Sequence, residues 1–435
     1  MPQIEPFKGI LYNFKKINIA NIVAPPYDII SPHMQDDLYR IDEHNIIRLI
    51  LGKEEPKDSA RVNKYKRAVQ FFKRWLKEKV LVQDKTPSIY VYGQEYFHET
   101  KRKKRIGFIA RMKIEDPRES KVLPHEYTFA KPKEDRLNLI REVKANLSPI
   151  FTLFQDGDNK IRPILKSALK TKPVFDVEFE GVRHILWKLD KEALIKKIQA
   201  LMGDKDIFIA DGHHRYEVAV IYRDEMRNKT GQRSTVHGPR KNKGYDYVMI
   251  YFSPLNQEGL TILSTHRLVK GINIDIEELL EQLKVYFYIK TFKAANHLFQ
   301  KMASAKKGEY AFGMYSKNKI FYLLKLKENV PLVDVIKEDK SKEWKRLDVS
   351  VLHGLIFDNI LDLREKVRNE ECIVYTRDPD YAISEVDKGN CTLAFFLNPT
   401  RVSQVRAIAK IGDRMPHKST YFYPKLLSGL VINKL

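Results

Sequence analysis

Hydrophobic positions recur along the chain with two spacings, and segments of each kind alternate. Val62, Val69 and Leu76 recur at helical spacing within residues 59–79, which predicts an amphipathic helix. Residues 89–97 and 105–113 alternate between apolar and polar positions, which predicts a β-hairpin whose loop holds the basic cluster at 101–105. Alternating strands and helices predict a mixed α/β fold.

The same spacings predict the other elements. We expect Asp190 to cap a helix that Gly203 ends. Residues 228–244 are rich in Lys, Arg, Asn and Gly, and are expected to form a mobile surface loop. The remaining expected strands are 150–154, 173–189, 206–210, 247–253, 261–269, 308–313, 319–325 and 392–397, and the expected helices are 132–145, 274–286, 346–360 and 401–409.

Composition excludes several classes of protein. No apolar run reaches the roughly 18 residues that a membrane helix needs, and the first ten residues lack a secretory pattern. Two cysteines, Cys372 and Cys391, cannot form a disulfide framework, which favours the cytoplasm. The net charge of +22 is spread along the whole chain, which disfavours a nucleic-acid partner and suits a small anionic substrate.

The segment Ile209 to Glu217 carries the strongest chemical signal. A short apolar strand ends, Gly212 permits a tight turn, and a helix with Val218, Ala219 and Ile221 on its buried side begins at once. Unpaired N–H groups and the positive end of the helix dipole make such a start an anion site.

The side chains around this turn suit phosphate chemistry. His213, His214 and Arg215 would add donors, and the arginine suits a bidentate grip on phosphate oxygens. Asp211 could hold a metal ion or orient a histidine. Two alternatives stay open: a capped helix with ordinary surface histidines, and a metal site formed by Asp211 with the histidines.

The segment resembles the phosphate-binding motif of the ParB/sulfiredoxin superfamily. Sulfiredoxins have a cysteine before their His-Arg pair, where this sequence has His213, so sulfinic-acid chemistry is disfavoured. The Asp-Gly-His-x-Arg form is closer to the free-serine kinases, which phosphorylate the hydroxyl of L-serine. The resemblance implies a ParB/sulfiredoxin-like core with additional α/β domains.

The whole chain also resembles a widespread bacterial and archaeal family of unknown function. The segments that match are residues 24–28, 124–128, 211–215, 265–268 and 415–425. We therefore expect an N-terminal α/β region at 1–120, a phosphate-binding core at 121–270, and a C-terminal α/β region at 271–435 that contributes the loop 415–425.

Further site residues come from the other matching segments. Glu126 precedes the turn in the chain, as the acidic base of the free-serine kinases does by resemblance, and His125 could tune it. Lys418, Ser419 and Thr420 are expected phosphate contacts. Expected substrate contacts are Tyr27, Asp28, Thr128, Arg136, His266 and Arg267. His353 lies among apolar residues and is expected to be structural.

Three classes of function follow from these residues. The first is a small-molecule kinase that uses ATP, ADP or pyrophosphate and Mg²⁺, with Asp211 helping to place the metal and free L-serine as the expected acceptor. The second is a phosphatase or hydrolase with the same pocket. The third is a nucleotide-gated DNA-binding or regulatory protein, although we find no helix-turn-helix pattern. The sequence leaves the oligomeric state open.

Overall fold

The computed structural model describes residues 1–116, 119–229, 242–306, 308–368 and 371–435. It divides into two compact units, which we call unit 1 (residues 1–261 and 424–435) and unit 2 (residues 262–423). The expected regions 1–120, 121–270 and 271–435 do not coincide with these units, because strands from the first two regions share one sheet. No helix in the described ranges is long and apolar enough to cross a membrane.

The strands of the chain are numbered in order. They are β1 (Ile4–Glu5), β2 (Ile10–Tyr12), β3 (Leu81–Gln83), β4 (Ile89–His98), β5 (Lys101–Lys113), β6 (Val122–Leu123), β7 (Ala145–Asn146), β8 (Ile150–Phe154), β9 (Phe175–Phe179), β10 (Val182–Leu189), β11 (Ile207–Asp211), β12 (Tyr247–Pro254), β13 (Thr261–Ile262), β14 (His266–Val269), β15 (Phe287–Phe292), β16 (Ala311–Ser316), β17 (Phe321–Leu326), β18 (Ile373–Thr376), β19 (Leu393–Phe396), β20 (Phe422–Tyr423) and β21 (Asn433–Lys434).

The helices are numbered in the same way. They are α1 (Ile19–Ile22), α2 (Pro32–Ile41), α3 (Ile47–Ile50), α4 (Lys64–Lys77), α5 (Ala130–Val143), α6 (Ile161–Ala168), α7 (Glu192–Met202), α8 (His213–Lys229), α9 (Ile276–Tyr286), α10 (Ala295–Ala303), α11 (Leu332–Val335), α12 (Lys342–Lys345), α13 (Asp348–Val351), α14 (Arg364–Arg368), α15 (Pro379–Asp387) and α16 (Val402–Lys410). A π-helix follows α13 at Leu352–Ile360, and 3₁₀ turns occupy Tyr27–Ile29 and Gly244–Asp246.

Unit 1 is built on a nine-stranded mixed sheet in the order β6-β11-β8-β12-β5-β4-β10-β9, with β1 added beside β5. Strand β8 runs parallel to β12 and antiparallel to β11. Apolar residues of α6, α7 and α8 pack on strand residues such as Phe108, Ile209 and Ile250 in one core cluster. Helices α6, α7 and α8 therefore help to stabilise the sheet that carries the Asp211 turn.

Unit 2 has a six-stranded sheet in the order β15-β17-β16-β19-β14-β18. Its core is formed by residues of β14, β16, β17 and β19 with α10 and α15, including Leu298, Ala382 and Phe396. The observed pairs in this sheet are antiparallel.

Several local predictions were wrong. The basic residues 101–105 belong to strand β5 rather than to a loop, because the hairpin turns at residues 99–100, where Glu99 has a φ of 54°. Lys191, not Asp190, is the N-cap of α7. Ile221 is 38% exposed instead of buried. The predicted loop 228–244 lies largely outside the described residues.

Candidate functional site

The predicted strand, turn and helix are present at Asp211–Arg215. Strand β11 ends at Asp211 after a shift of register opposite β8. Gly212 follows with a φ of 93°, and α8 begins at His213. Within the described ranges, the backbone amides of His214 and Arg215 have no hydrogen-bond acceptor. The helix start therefore presents the donors that an anion requires.

Gly212→Ala is expected to damage this turn. The φ of 93° is one that side chains rarely adopt, and an added Cβ would lie 2.9 Å from Nε of Arg215. We expect a loss of about 1–3 kcal/mol in the free energy of unfolding, together with weaker binding of pyrophosphate. Urea unfolding and calorimetric titration would measure both effects. Gly203→Ala is the matched control, because Gly203 has a φ of −56° and its added Cβ would make only ordinary contacts; equal effects of the two substitutions would contradict the assignment.

Asp211 is held between two cations. Its Oδ2 accepts a hydrogen bond from Arg215 at 2.7 Å, and its Oδ1 pairs with Nζ of Lys425. The three side chains are only 11–14% exposed. Both carboxylate oxygens are engaged by cations, so Asp211 does not fit the expected role of Mg²⁺ ligand here, and its geometry favours the organisation of positive charge at the turn.

Lys425 was not assigned a role from the sequence, although it ends the matching segment 415–425. It lies 214 residues from Asp211 in the chain, so neither spacing nor periodicity connects the two residues. The only available signal was a lysine at the end of a segment that resembles a family motif.

The ion pairs make folding stability depend on pH through Asp211. Burial acts to raise the pKa of Asp211, but the charges of Lys425 and Arg215 outweigh it and hold that pKa below 3.8. The folded state therefore binds this proton less readily than the unfolded state. The stabilisation is present above the unfolded pKa and is lost as the pH falls through the folded pKa.

Asp211→Asn should therefore change the acid side of the stability profile. We expect the difference in unfolding free energy between wild type and variant to be constant above about pH 5 and to shrink below about pH 4. Urea unfolding at a series of pH values measures this difference. A difference that stays constant down to pH 2 would show that Asp211 has no depressed pKa.

Arg215 uses two of its nitrogen atoms in hydrogen bonds within the protein. Its NH1 donates to the carbonyl of Pro149 at 2.6 Å, and its NH2 donates to Asp211. Its Nε is buried, and no hydrogen-bond partner for it lies in the described part of the chain. A bidentate grip on phosphate stays a prediction, whereas the contacts show Arg215 fixing the turn against the segment before β8.

The side chain of Glu126 lies beside the first residue of α8. Its Oε2 is 3.5 Å from Nδ1 of His213, and its Oε1 is 3.9 Å from Nε2 of His125. The two imidazole rings meet edge to face with centroids 4.7 Å apart. Ligand atoms of these three residues lie within 4.8 Å of one another, which is close enough to consider a metal ion.

Hydrogen bonding favours a different use of this cluster. The backbone N–H of His125 donates to Nε2 of His213 at 3.3 Å, so the neutral ring carries its proton on Nδ1, which faces Glu126. A protonated Nδ1 cannot ligate a cation. The arrangement therefore suits a glutamate held in place by histidine better than a metal site.

His214 and Thr128 join the segment 125–129 to helix α8. Nε2 of His214 accepts from the N–H of Phe129 at 3.0 Å, and the hydroxyl of Thr128 donates to Glu217 at 2.6 Å. Burial lowers the pKa of His214, while the charge of Asp28 acts to raise it. Phosphate binding by this ring stays a prediction; its observed contact positions the segment that carries Glu126.

Tyr27 and Arg136 lie beside the same turn. The guanidinium of Arg136 is 4.0 Å from the centroid of the Tyr27 ring and hydrogen-bonds Asp135 at 2.9 Å. Burial raises the pKa of Tyr27 to about 12, against the lowering effect of Arg136. Tyr27, Arg136 and Arg215 line one cavity of about 70 Å³ whose other walls are mostly apolar.

Asp28 lies in the 3₁₀ turn Tyr27–Ile29 of unit 1, and the remaining predicted site residues belong to unit 2. NH2 of Arg267 donates to the carbonyl of Lys418 at 3.0 Å, and Thr400 donates to the carbonyl of Ser419 at 2.7 Å. Arg267 is 1% exposed, so it joins β14 to the loop that carries Lys418, Ser419 and Thr420. Nδ1 of His266 accepts from the N–H of Leu397 at 3.4 Å. Substrate or phosphate contact by these residues stays a prediction.

Fold and site together describe a mixed α/β protein in which the carboxylate of Glu126 lies beside the first residue of α8. Residues 4–350 match the family described as "Protein of unknown function (DUF1015)". The chain therefore belongs to this family. No curated protein is detectably similar to it.

Several solved structures are weakly similar. A conserved hypothetical protein from Pyrococcus furiosus is 16% identical, with 70% of this chain and 89% of that chain covered at a TM-score of 0.32. A free serine kinase variant in complex with AMP is 14% identical, with 69% and 84% covered and a TM-score of 0.33. SbnI with a C-terminal truncation, from Staphylococcus aureus, is 11% identical, with 71% and 82% covered and a TM-score of 0.32. Likenesses of this size do not establish a shared activity.

Proposed function

We propose that this protein is a phosphotransferase that moves a phosphoryl group from ATP, ADP or pyrophosphate to the hydroxyl of a small molecule, with free L-serine as the first acceptor to test. The observation that carries the proposal is the position of Glu126. Its carboxylate lies 3.5 Å from the imidazole of the first residue of α8, the helix whose N-terminus would bind the phosphate of the donor.

The phosphoryl donor would be held by positive charge and by backbone N–H groups. The amides of His214 and Arg215 would bind its phosphate oxygens, and Lys425 would neutralise charge near them. Asp211 would keep Lys425 and Arg215 in position. Contacts with the phosphoryl donor stay predicted for Lys418, Ser419 and Thr420. Contacts with the acceptor substrate stay predicted for Asp28, His266 and Arg267.

The transfer itself needs one base and a fixed geometry. Glu126 would accept the proton of the acceptor hydroxyl as its oxygen attacks the terminal phosphorus. The bond between that phosphorus and the bridging oxygen breaks, and ADP, AMP or inorganic phosphate leaves according to the donor. His213 would orient Glu126, which makes His213 a positioning residue. A divalent ion bound to the donor would lower its charge.

The direct test is product analysis. Purified protein would be incubated with L-serine, Mg²⁺ and each donor in turn, and O-phosphoserine would be measured by mass spectrometry. The proposal predicts phosphoserine with at least one donor. Absence of product with every donor, together with release of phosphate from a phosphomonoester, would instead support a hydrolase at the same turn.

The small cavity beside the turn leads to a further experiment. Its volume of about 70 Å³ and its lining by Tyr27 and Arg136 favour an acceptor of few atoms. A panel of hydroxyl compounds should therefore show decreasing phosphorylation as the acceptor grows beyond the size of serine or threonine. Equal rates with a sugar would contradict this placement of the acceptor.

A further inference from the structure

A second and larger cavity lies in unit 1, away from the residues described above. Its volume is about 690 Å³, within the range of roughly 300–1,000 Å³ typical of small-molecule sites. Its walls come from the start of β5, from α6 with the residues around it, and from the segment after β12. We call it the distal cavity.

Five cationic side chains line the distal cavity, against two acidic ones. Arg102 and Lys104 stand two residues apart on β5, so they point to the same side of the sheet. Arg162 and Lys166 are four residues apart on α6, and Lys170 follows the end of that helix. The cations therefore converge from two elements.

The positive charge is only partly balanced. Glu95 pairs with Arg102 at 2.5 Å and with Lys104 at 2.7 Å. In contrast, no carboxylate among the described residues pairs with the three remaining cations, Arg162, Lys166 and Lys170.

The acidic residue Asp156 in the wall is already engaged. It is 2% exposed, and its carboxylate accepts from the backbone N–H groups of Lys160, Ile161 and Arg162 at the start of α6. Its charge therefore offsets the helix dipole. Apolar side chains of Leu165, Leu169 and Pro254 complete the walls and could contact a ring or an alkyl group.

The topology separates the distal cavity from the Asp211 turn. Strands β8 and β11 are antiparallel, with Phe151 opposite Asp211 and Phe154 opposite Ile207. The carboxyl end of β8 therefore lies at the opposite edge of the sheet from the turn, about 13 Å away along the strand. The parallel strands β8 and β12 both end at the distal cavity. Crevices beyond the carboxyl ends of parallel strands are the usual ligand sites of α/β sheets.

We propose that the distal cavity is a second anion-binding site, which takes a phosphorylated small molecule of nucleotide size. Arg162, Lys166 and Lys170 would bind its phosphate groups, and the apolar wall would contact its remaining part. The proposal rests on the residues of the distal cavity and does not depend on phosphoryl transfer at the Asp211 turn.

Calorimetric titration of the full chain with ADP and, separately, with pyrophosphate tests the proposal. The test variant combines Arg162→Ala, Lys166→Ala and Lys170→Ala, which are substitutions at exposed positions. The control combines Lys197→Ala, Lys293→Ala and Lys301→Ala, which removes the same charge from other exposed positions. Because hydrogen bonds to charged groups are stronger than those between neutral groups, the test variant should weaken one binding event by tenfold or more.

The control and Gly212→Ala should both retain that binding event. ADP should bind more tightly than pyrophosphate, because only ADP has a part that can contact the apolar wall; equal binding would contradict a ligand of nucleotide size. Unchanged binding of both probes by the test variant, or loss of all binding in Gly212→Ala, would overturn the proposal. Binding of a single-stranded oligonucleotide through the three cations, without binding of either probe, would also overturn it.

Discussion

Glu126→Gln is expected to abolish most phosphoryl transfer while leaving the donor bound. The amide keeps the size of the carboxylate but cannot accept the proton of the acceptor hydroxyl. General-base contributions are typically 10²–10⁴-fold, so kcat should fall by roughly that factor. The affinity for the donor, measured by calorimetry, should change little, because the proposed anion site uses the start of α8 and Lys425 rather than Glu126.

The control for this substitution is Glu134→Gln. Glu134 is an exposed glutamate on α5, and the change removes the same charge. Its kcat should equal that of wild type. A Glu126→Gln variant with wild-type kcat would show that another group takes the proton, and a variant that loses donor binding would show that Glu126 belongs to the anion site instead.

Lys425→Met is expected to lower both the free energy of unfolding and the affinity for pyrophosphate, with the largest effect of any change at the turn. The methionine fills a similar volume but leaves Asp211 with one of its two cations, in a site where both partners of the lost pair are only 11–12% exposed. Removal of one partner from a buried pair costs about 3 kcal/mol in the free energy of unfolding. Pyrophosphate binding should weaken as well, because a positive charge is lost beside the helix start.

A double-mutant cycle separates these causes. Asp211→Asn combined with Lys425→Met removes both charges of the pair, so the unfolding free energy should recover part of the loss of the lysine variant alone. Pyrophosphate binding should not recover, because the cation is still absent. Lys434→Met, at an exposed position of β21, is the control for the charge and should match wild type. Additive losses in the cycle would contradict the pairing of Asp211 with Lys425.

Sequence patterns were informative wherever the relevant contacts are local. The apolar run at 206–210 predicted β11 to within one residue, and the glycine after Asp211 predicted a backbone conformation that the φ of 93° confirms. The alternation at 89–97 and 105–113 predicted the hairpin of β4 and β5. These features depend on neighbouring residues, so periodicity and turn chemistry are sufficient to find them.

Features that depend on distant contacts were not predictable in this way. Arg105 looked like part of a solvated basic loop, but it is fully buried and hydrogen-bonds the side chain of Gln94 at 3.1 Å. The pair of Asp211 with Lys425 joins residues 214 positions apart. The division into units also depends on long-range strand pairing, because β5 pairs with β12 across more than a hundred residues.

The role of Glu126 as base was inferred from order along the chain and from resemblance and stays a prediction, whereas its position beside the turn was left open by the sequence. The contact of its carboxylate with His213 depends on packing of the segment 125–129 against α8, through the hydrogen bonds of His213 and His214 with backbone amides. The sequence indicated these histidines as phosphate ligands, whereas their observed partners belong to the protein. Residue type alone could not distinguish a histidine that binds phosphate from a histidine that positions another part of the protein.

The most direct test of phosphoryl transfer at the Asp211 turn is a ³¹P NMR time course of wild-type protein with L-serine, Mg²⁺ and the donor that is consumed fastest. We expect the O-phosphoserine signal to grow in step with the loss of the donor signal, in a one-to-one ratio, and Glu126→Gln to slow both equally. Loss of the donor with growth of inorganic phosphate and no phosphoserine signal would contradict this expectation.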